Sequence, residues 1–203
     1  MARPAKQSRE ESLRRALALF WSKGFHNTSL KDLEQALNMR PGSIYAAFTS
    51  KEALFCEALA DYGRAAKADY LGIMERHGSR IDGLIAYLRS MAAACEREQP
   101  ARACMAVKTV LEMPMEQGAM REQAEALLQD FEQGFTHAFA EAMAAGEIGD
   151  AIAPGRLARR LQADITGMRV LAERPSARDG LAERVDDTIA WLEGLKLPAA
   201  AHA

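Results

Sequence analysis

Hydroxyl-bearing and basic residues that suit anion binding occur in one short part of the chain, between Thr28 and Lys51. Thr28 and Ser29 precede the apolar pattern of a short helix, and the free N–H groups at a helix start attract anions. Lys51 places a positive charge at the start of the next helix. These groups fit phosphate, so we predict that they hold a DNA backbone on both sides of the intervening segment.

The intervening segment, MRPGSIYAAF from Met39 to Phe48, has the pattern of a short helix. Pro41 suits its first turn, and Ile44 and Phe48 are spaced to face inward. The opposite face carries small residues that let a backbone approach a base edge, with a tyrosine alongside: Gly42, Ser43, Tyr45, Ala46 and Ala47. A glycine costs helix stability, about 1 kcal/mol relative to alanine, so close approach or helix-start geometry must explain Gly42. We predict a recognition helix for the major groove.

Three capping signals predict the helices that position this segment. Ser8 to Glu11 begins a helix with the stripe Leu13, Ala16, Leu17 and Phe20, ending near Gly24. Ser29 to Asp32 begins a second helix, which ends at Asn38. Thr49 to Glu52 begins a longer one. The recognition helix is too short to be stable alone, so it must pack on the first two helices.

Composition narrows the class of protein. The 203 residues are 49% hydrophobic with a net charge of −2, as in a globular chain of one large or two small domains. Residues 1 to 55 carry nine Lys/Arg and five Asp/Glu, a net of +4, and the remainder carries −6. The three cysteines lack metal or disulfide spacing. The longest apolar runs are short and no leader pattern begins the chain, so we expect a cytoplasmic protein.

The run GFHNTSLKDLEQALNMRPGSIYAAFTSKEALF, Gly24 to Phe55, closely resembles the helix-turn-helix of tetracycline-repressor (TetR) family regulators. The resemblance implies an all-α homodimer that binds a double-stranded DNA operator. Each chain would hold a three-helix DNA-binding domain, residues 1–50, and a helical bundle for ligand binding and dimerisation, residues 51–198. Separately, the low-complexity Pro-Ala-Ala-Ala run predicts a disordered tail at 199–203. The resemblance also implies DNA-contacting or positioning roles for Thr28, Ser29, Gly42, Tyr45 and Lys51. Because Ala46 and Ala47 depart from the family pattern, Arg40 and Ser43 become the main candidates for base contacts.

Amphipathic helices recur beyond residue 60, and we predict that they enclose an effector pocket. Its candidate lining is Tyr87, Met91, Cys104, Val107, Lys108, Leu111, Phe131 and Phe135. Plain core packing is the alternative for each of these residues. Cys104 resembles a cysteine that starts the sixth helix in part of the family, where some members sense electrophiles or oxidants. A helix dipole and the nearby Arg102 would favour its thiolate, and an inert cysteine is the alternative.

Dimerisation is expected through the last two helices, predicted at Pro154 to Arg174 and Ser176 to Leu195, with Ala163, Gly167 and a Leu157/Leu161 stripe in the contact. The four histidines are scattered, and no catalytic, metal or cofactor motif occurs. We therefore expect an effector-responsive regulator, a repressor, and no enzyme. The alternatives are an architectural DNA-binding protein without an effector, and a ligand-binding or enzymatic bundle with a vestigial head.

Overall fold

A computed structural model describes residues 8–97, 103–114, 118–174, 176 and 178–198, and these residues form nine helices and one isolated β-bridge. The chain order is α1 Arg9–Lys23, α2 Leu30–Leu37, α3 Pro41–Phe48, α4 Lys51–Met74, α5 Arg80–Arg97, α6 Met105–Glu112, α7 Gly118–Ala144, α8 Pro154–Ala172 and α9 Arg178–Gly194. The all-α prediction is confirmed. The predicted tail at 199–203 lies outside the described residues.

Local signals determine where the first helices begin and end. The Ser8 side chain accepts from the Glu11 N–H at 3.1 Å, which starts α1. Ser29 and Asp32 form a complete capping box at the start of α2. Asn38 ends α2 in the left-handed conformation with φ of 50°, which asparagine tolerates better than most residues.

The predicted third capping signal is displaced by one residue. Thr49 follows α3 with φ of 67° and its N–H bonds to the Tyr45 carbonyl, so it ends α3 and does not begin α4. Ser50 caps α4 instead, because its hydroxyl oxygen accepts from the Ala53 N–H at 3.1 Å. The junction between α3 and α4 is therefore tighter than the sequence pattern indicated.

Aromatic and aliphatic side chains form the interior of the first three helices and the start of α4. Phe20 of α1 meets Phe55 of α4 edge to face with ring centroids 5.1 Å apart. Phe25, from the turn after α1, meets Phe55 at 5.3 Å. Leu33 and Leu37 of α2 are fully buried, so burial on neighbouring helices supplies the stability that a helix of eight residues lacks alone.

The described chain divides into two compact units. The first comprises Met1–Ala65 and Met105–Leu127, and the second comprises Ala66–Cys104 and Leu128–Ala203. The first unit thus joins α6 and the start of α7 to the N-terminal helices. The predicted functional boundary at residue 50 stays a prediction.

The second unit is a bundle in which α5, α8 and α9 pack on one another. Its core includes Leu84 and Leu88 of α5, Phe139 of α7, and Leu157 and Leu161 of α8. The last two leucines are 3% and 0% exposed, so the predicted Leu157/Leu161 stripe packs inside its own chain and cannot face a second copy. Ala163 and Gly167 are exposed on the other side of α8.

A glutamate fixes the start of α5. The Glu147 carboxylate accepts from the Ser79 hydroxyl at 2.7 Å and from the N–H groups of Arg80 and Ile81 at 2.9 and 3.2 Å. Burial alone would raise the pKa of Glu147, but these three hydrogen bonds outweigh burial and hold its pKa below the ordinary value. No helix among the described residues is both long and apolar enough to span a membrane.

Candidate nucleic-acid interface and predicted effector residues

The short helix α3 presents one face to its own core and the other to the outside. Ile44 and Phe48 are each 1% exposed, as their spacing predicts. Arg40, Gly42 and Ser43 are exposed at its start, and Tyr45 is 43% exposed. The structure thus brings the predicted base-contacting residues together on one outward face, beside the exposed Ala46.

Nothing within the described part of the chain requires a glycine at position 42. A Cβ built on Gly42 meets no atom within 4 Å, and the residue does not adopt a positive φ. Internal packing and left-handed geometry are therefore both excluded as reasons for this glycine. Two explanations for Gly42 remain: close approach by an external partner, and simple tolerance of glycine at a helix start.

The start of α2 already holds a carboxylate of its own. Asp32 accepts from the Ser29 N–H at 2.8 Å and from the Ser29 hydroxyl at 2.7 Å, and Lys23 Nζ lies 2.6 Å from Asp32 Oδ1. Hydrogen bonds from Lys23 and Ser29 hold the pKa of Asp32 far below its usual range. Of the four N–H groups that a helix start leaves without an intrahelical acceptor, those of Ser29 and Asp32 are used in this box. The N–H groups of Leu30 and Lys31 are the ones suited to an external anion.

Thr28 occupies a different place from the predicted one. It is fully buried, its hydroxyl donates to the Gly24 carbonyl at 2.6 Å, and its N–H donates to the Phe25 carbonyl at 3.2 Å. The expectation of an exposed hydroxyl beside phosphate is corrected accordingly. Thr28 stabilises the turn that leads into α2, because its hydroxyl and its N–H both donate hydrogen bonds within that turn.

Lys51 lies half-buried at the start of α4, with Nζ 4.3 Å from the centroid of the Phe25 ring. Burial lowers the pKa of Lys51, while Glu52 and Asp32 act in the opposite direction. A cation over an aromatic face is stabilised by the ring quadrupole. The lysine is therefore held in a defined place rather than extended freely into solvent.

Three of the predicted effector residues belong to the first unit, on α6. Lys108 donates from Nζ to the Trp21 carbonyl at 3.0 Å, and Val107 is half-buried. Leu111 is 79% exposed, so its expected place in a pocket lining is corrected. Sequence periodicity placed these residues on one helix face but could not show what that face meets.

The other five belong to the second unit. Tyr87, Met91, Cys104 and Phe135 are buried and Phe131 is half-buried. Tyr87 and Phe135 pack with ring centroids 6.0 Å apart, and both meet Tyr70 edge to face. Burial raises the pKa of Tyr87, and Arg169 acts against this through a hydrogen bond to the tyrosine.

Cys104 immediately precedes α6 and lies close enough to the Tyr87 hydroxyl to interact with it electrostatically. The cysteine that sequence reasoning singled out therefore neighbours a buried phenol and, through that phenol, the guanidinium of Arg169. Tyr70 and Arg169 were missed, and only their helical spacing on α4 and α8 could have indicated them. Arg102, predicted to assist Cys104, lies outside the described residues.

Comparison with protein families identifies the chain. Residues 13–58 match the model for bacterial regulatory proteins of the tetR family, and residues 80–187 match a tetracyclin repressor-like C-terminal domain. The second match alone spans more than half of the chain. The chain therefore belongs to the TetR family, and it is a DNA-binding transcriptional regulator. Membership of this family supports the expectation that the protein is not an enzyme.

Full-length relatives agree with the family match. The chain is 26% identical over 196 residues to the HTH-type transcriptional repressor ComR of Escherichia coli K12, covering 96% of this chain and 93% of ComR. It is 25% identical over 182 residues to the uncharacterized regulator YezE of Bacillus subtilis 168, covering 89% and 94%. A cysteine mutant of the regulator CifR, solved with 26-bp double-strand operator DNA, matches with a TM-score of 0.83 at 28% identity, covering 93% and 98%.

Proposed function

We propose that the protein is a homodimeric repressor that binds a palindromic operator and leaves it when an effector binds. The outward face of α3 carries this proposal, because Arg40, Ser43 and Tyr45 surround a glycine that internal packing does not require. The naming of ComR as a repressor and the operator complex of CifR support it. A cytoplasmic location, where the operator would be, is part of the same proposal.

Two classes of DNA contact are assigned. Arg40 and Ser43 read base edges from the start of α3, since a guanidinium and a hydroxyl both pair with major-groove acceptors. Lys51 and the N–H groups at the start of α2 contact phosphate, which fixes the helix in the groove without selecting a sequence. Tyr45 is exposed on the same helix, and its hydroxyl is assigned to a phosphate contact.

The second copy is proposed to dock on the outer face of α8 and α9. Ala163, Gly167 and Val170 are exposed at helical spacing on α8, and the apolar Val170 is 47% exposed. A Cβ on Gly167 would meet no atom of the described residues within 4 Å. Small residues on such a stripe let two helices approach closely, and two-fold pairing would place two α3 helices on successive half-sites.

The effector is proposed to act on the cluster of Tyr87, Phe135 and Cys104 in the second unit. Its aromatic side chains suit an apolar molecule, and the Tyr87 hydroxyl offers one polar anchor. Cys104 is a free cysteine directly before α6, so it is the proposed group for an electrophile or oxidant. Cys104 is followed directly by α6, which belongs to the first unit, so a change at the cysteine is proposed to pass along the chain to that helix.

Selection of bound sequences from a random DNA pool tests the operator proposal. We expect one enriched palindrome whose half-sites lie about one helical turn apart, bound by a dimer in analytical ultracentrifugation. Enrichment without any consensus would favour the architectural alternative. No enrichment at all would favour a bundle with a vestigial head.

Release from that operator by a quinone tests the thiol proposal. We expect wild-type protein to dissociate, Cys104→Ser to stay bound, and Cys56→Ser to behave as wild type. Burial raises the pKa of Cys56, which keeps it a poor nucleophile at neutral pH. If Cys104→Ser is released as readily as wild type, the effector is a non-covalent ligand.

A further inference from the structure

Two charged side chains of α6 contact backbone groups at the end of α1 and in the turn that joins α1 to α2. Lys108 Nζ donates to the main-chain carbonyl of Trp21 at 3.0 Å, and Glu112 Oε2 accepts from the main-chain N–H of Phe25 at 3.3 Å. The two residues are four apart, so they lie on the same face of α6. Both contacts are to backbone atoms, so α6 holds the chain on both sides of Gly24.

The turn has the shape that this contact requires. Gly24 has φ of +78°, which a side chain rarely tolerates. A Cβ at this position would lie 2.5 and 2.6 Å from the two carboxylate oxygens of Glu112. The glycine thus serves both the backbone conformation and the approach of the glutamate. Thr28 closes the same turn through its hydrogen bond to the Gly24 carbonyl.

Phe25 connects this turn to a proposed DNA contact. Glu112 holds the main-chain N–H of Phe25, and the ring of the same residue lies under the Lys51 ammonium at 4.3 Å. A movement of the Phe25 backbone therefore moves the surface on which Lys51 rests. Ser29, at the start of α2, directly follows Thr28, whose hydrogen bonds to the Gly24 and Phe25 carbonyls link the start of α2 to the same turn.

We infer that Glu112 is a positioning residue for DNA binding, which it controls through Phe25 and Lys51. The inference rests on the proposed phosphate contact of Lys51. With Glu112 in place, Phe25 is fixed and the ammonium is presented in one position, so little side-chain freedom is lost when phosphate binds. When Glu112 is withdrawn, the turn loses its hydrogen bond to α6, and the Phe25 ring under the lysine is then held by its packing on Phe20 and Phe55.

The test compares variants in operator binding over a series of salt concentrations, with melting temperature measured alongside. Glu112→Ala is expected to weaken operator binding about fivefold or more and to lower the salt slope toward that of Lys51→Ala. In the Lys51→Ala background, Glu112→Ala should add little. Glu112→Gln keeps an acceptor for the Phe25 N–H and should stay within about threefold of wild type.

Two further variants keep the test decisive. Glu122→Gln changes an exposed glutamate of α7 in the same unit and should leave both affinity and slope unchanged. Lys108→Met keeps the methylene packing and removes the donor to Trp21, so it should weaken binding and lower the slope even if Glu112→Ala does not fold.

The outcomes separate the inference from the proposed function. If Lys51→Ala lowers the salt slope while Glu112→Ala weakens binding by the same factor in both backgrounds, Glu112 has only a general structural role and the inference is wrong. If Lys51→Ala itself leaves the salt slope unchanged, Lys51 does not contact phosphate. The inference that Glu112 acts on DNA binding through Phe25 and Lys51 is then wrong as well.

Discussion

Replacement of Gly42 by alanine separates folding from DNA binding at the start of α3. The added methyl meets no atom of the described residues within 4 Å, and the backbone there is not in the left-handed region, so the fold accommodates it without strain. Alanine restricts the unfolded chain and favours helix, a gain of about 0.5–1 kcal/mol. For a chain of this length, that corresponds to a melting temperature higher by about 1–4 °C.

DNA binding should change in the opposite direction. If the DNA lies against Gly42, a methyl there holds α3 away and lengthens the base contacts of Arg40 and Ser43. Each good bidentate base contact is worth about 1–3 kcal/mol, so roughly tenfold weaker operator binding is expected. Fluorescence anisotropy with the selected operator measures the affinity, and thermal denaturation measures stability on the same preparation.

Gly72→Ala is the matched control for this experiment. Gly72 also lies in a helix, α4, and a Cβ there meets no atom within 4 Å. It should raise the melting temperature by a similar amount and leave operator affinity unchanged. A Gly42→Ala protein that melts higher and binds its operator as well as wild type would refute close approach and leave tolerance at a helix start as the explanation.

Four further changes test other parts of the structure. Arg40→Ala should relax the sequence preference at one symmetric pair of operator positions, with a cost of roughly 1–3 kcal/mol in binding. Lys51→Ala should instead weaken binding to all sequences alike and reduce the salt slope by about 0.9 for each phosphate that is no longer neutralised. Selection of bound sequences with each variant distinguishes the two effects. Gly24→Ala should destabilise the fold by more than about 1 kcal/mol in thermal melts, because of its positive φ and the Glu112 carboxylate. Because the pKa of Glu147 is lowered in the fold, its contribution to stability is present above the unfolded-state pKa and is lost as pH falls through the folded-state pKa. Glu147→Gln should therefore flatten the acid side of the profile of stability against pH. An unchanged profile would contradict this.

The N-terminal helices were predictable because several local signals agree within a short distance. Ser8, Ser29 and Pro41 mark helix starts, and the apolar spacing of Ile44 and Phe48 identifies the buried face of α3. Each signal depends on neighbours within one or two turns, which is the range over which sequence alone carries structural information. The exposed face of α3 follows directly once the buried face is known.

Errors arose where the outcome depends on contacts with distant parts of the chain. Leu157 and Leu161 form an apolar stripe on α8, but a stripe does not show whether it meets α5 and α9 or a second copy. Thr28 has the same hydroxyl whether it faces phosphate or the Gly24 carbonyl, and only the fold places it inside. In both cases the residue type was interpreted correctly and its partner was not.

The division of the predicted effector residues has the same physical origin. Lys108 and Leu111 share a helix with apolar neighbours, so the helical periodicity favours one common interior for them. However, the Lys108 ammonium and the Glu112 carboxylate can also form their hydrogen bonds with backbone groups. The acceptor for Lys108 is the Trp21 carbonyl and the donor to Glu112 is the Phe25 N–H, both 87 residues away in sequence. Backbone groups carry no signature in the sequence, because every residue except proline offers the same N–H and C=O. Oppositely charged residues four apart on a helix are usually solvated, whereas Lys108 and Glu112 bond to backbone groups on either side of Gly24. The proposed positioning of Lys51 therefore depends on a residue, Glu112, that resembles an ordinary surface charge.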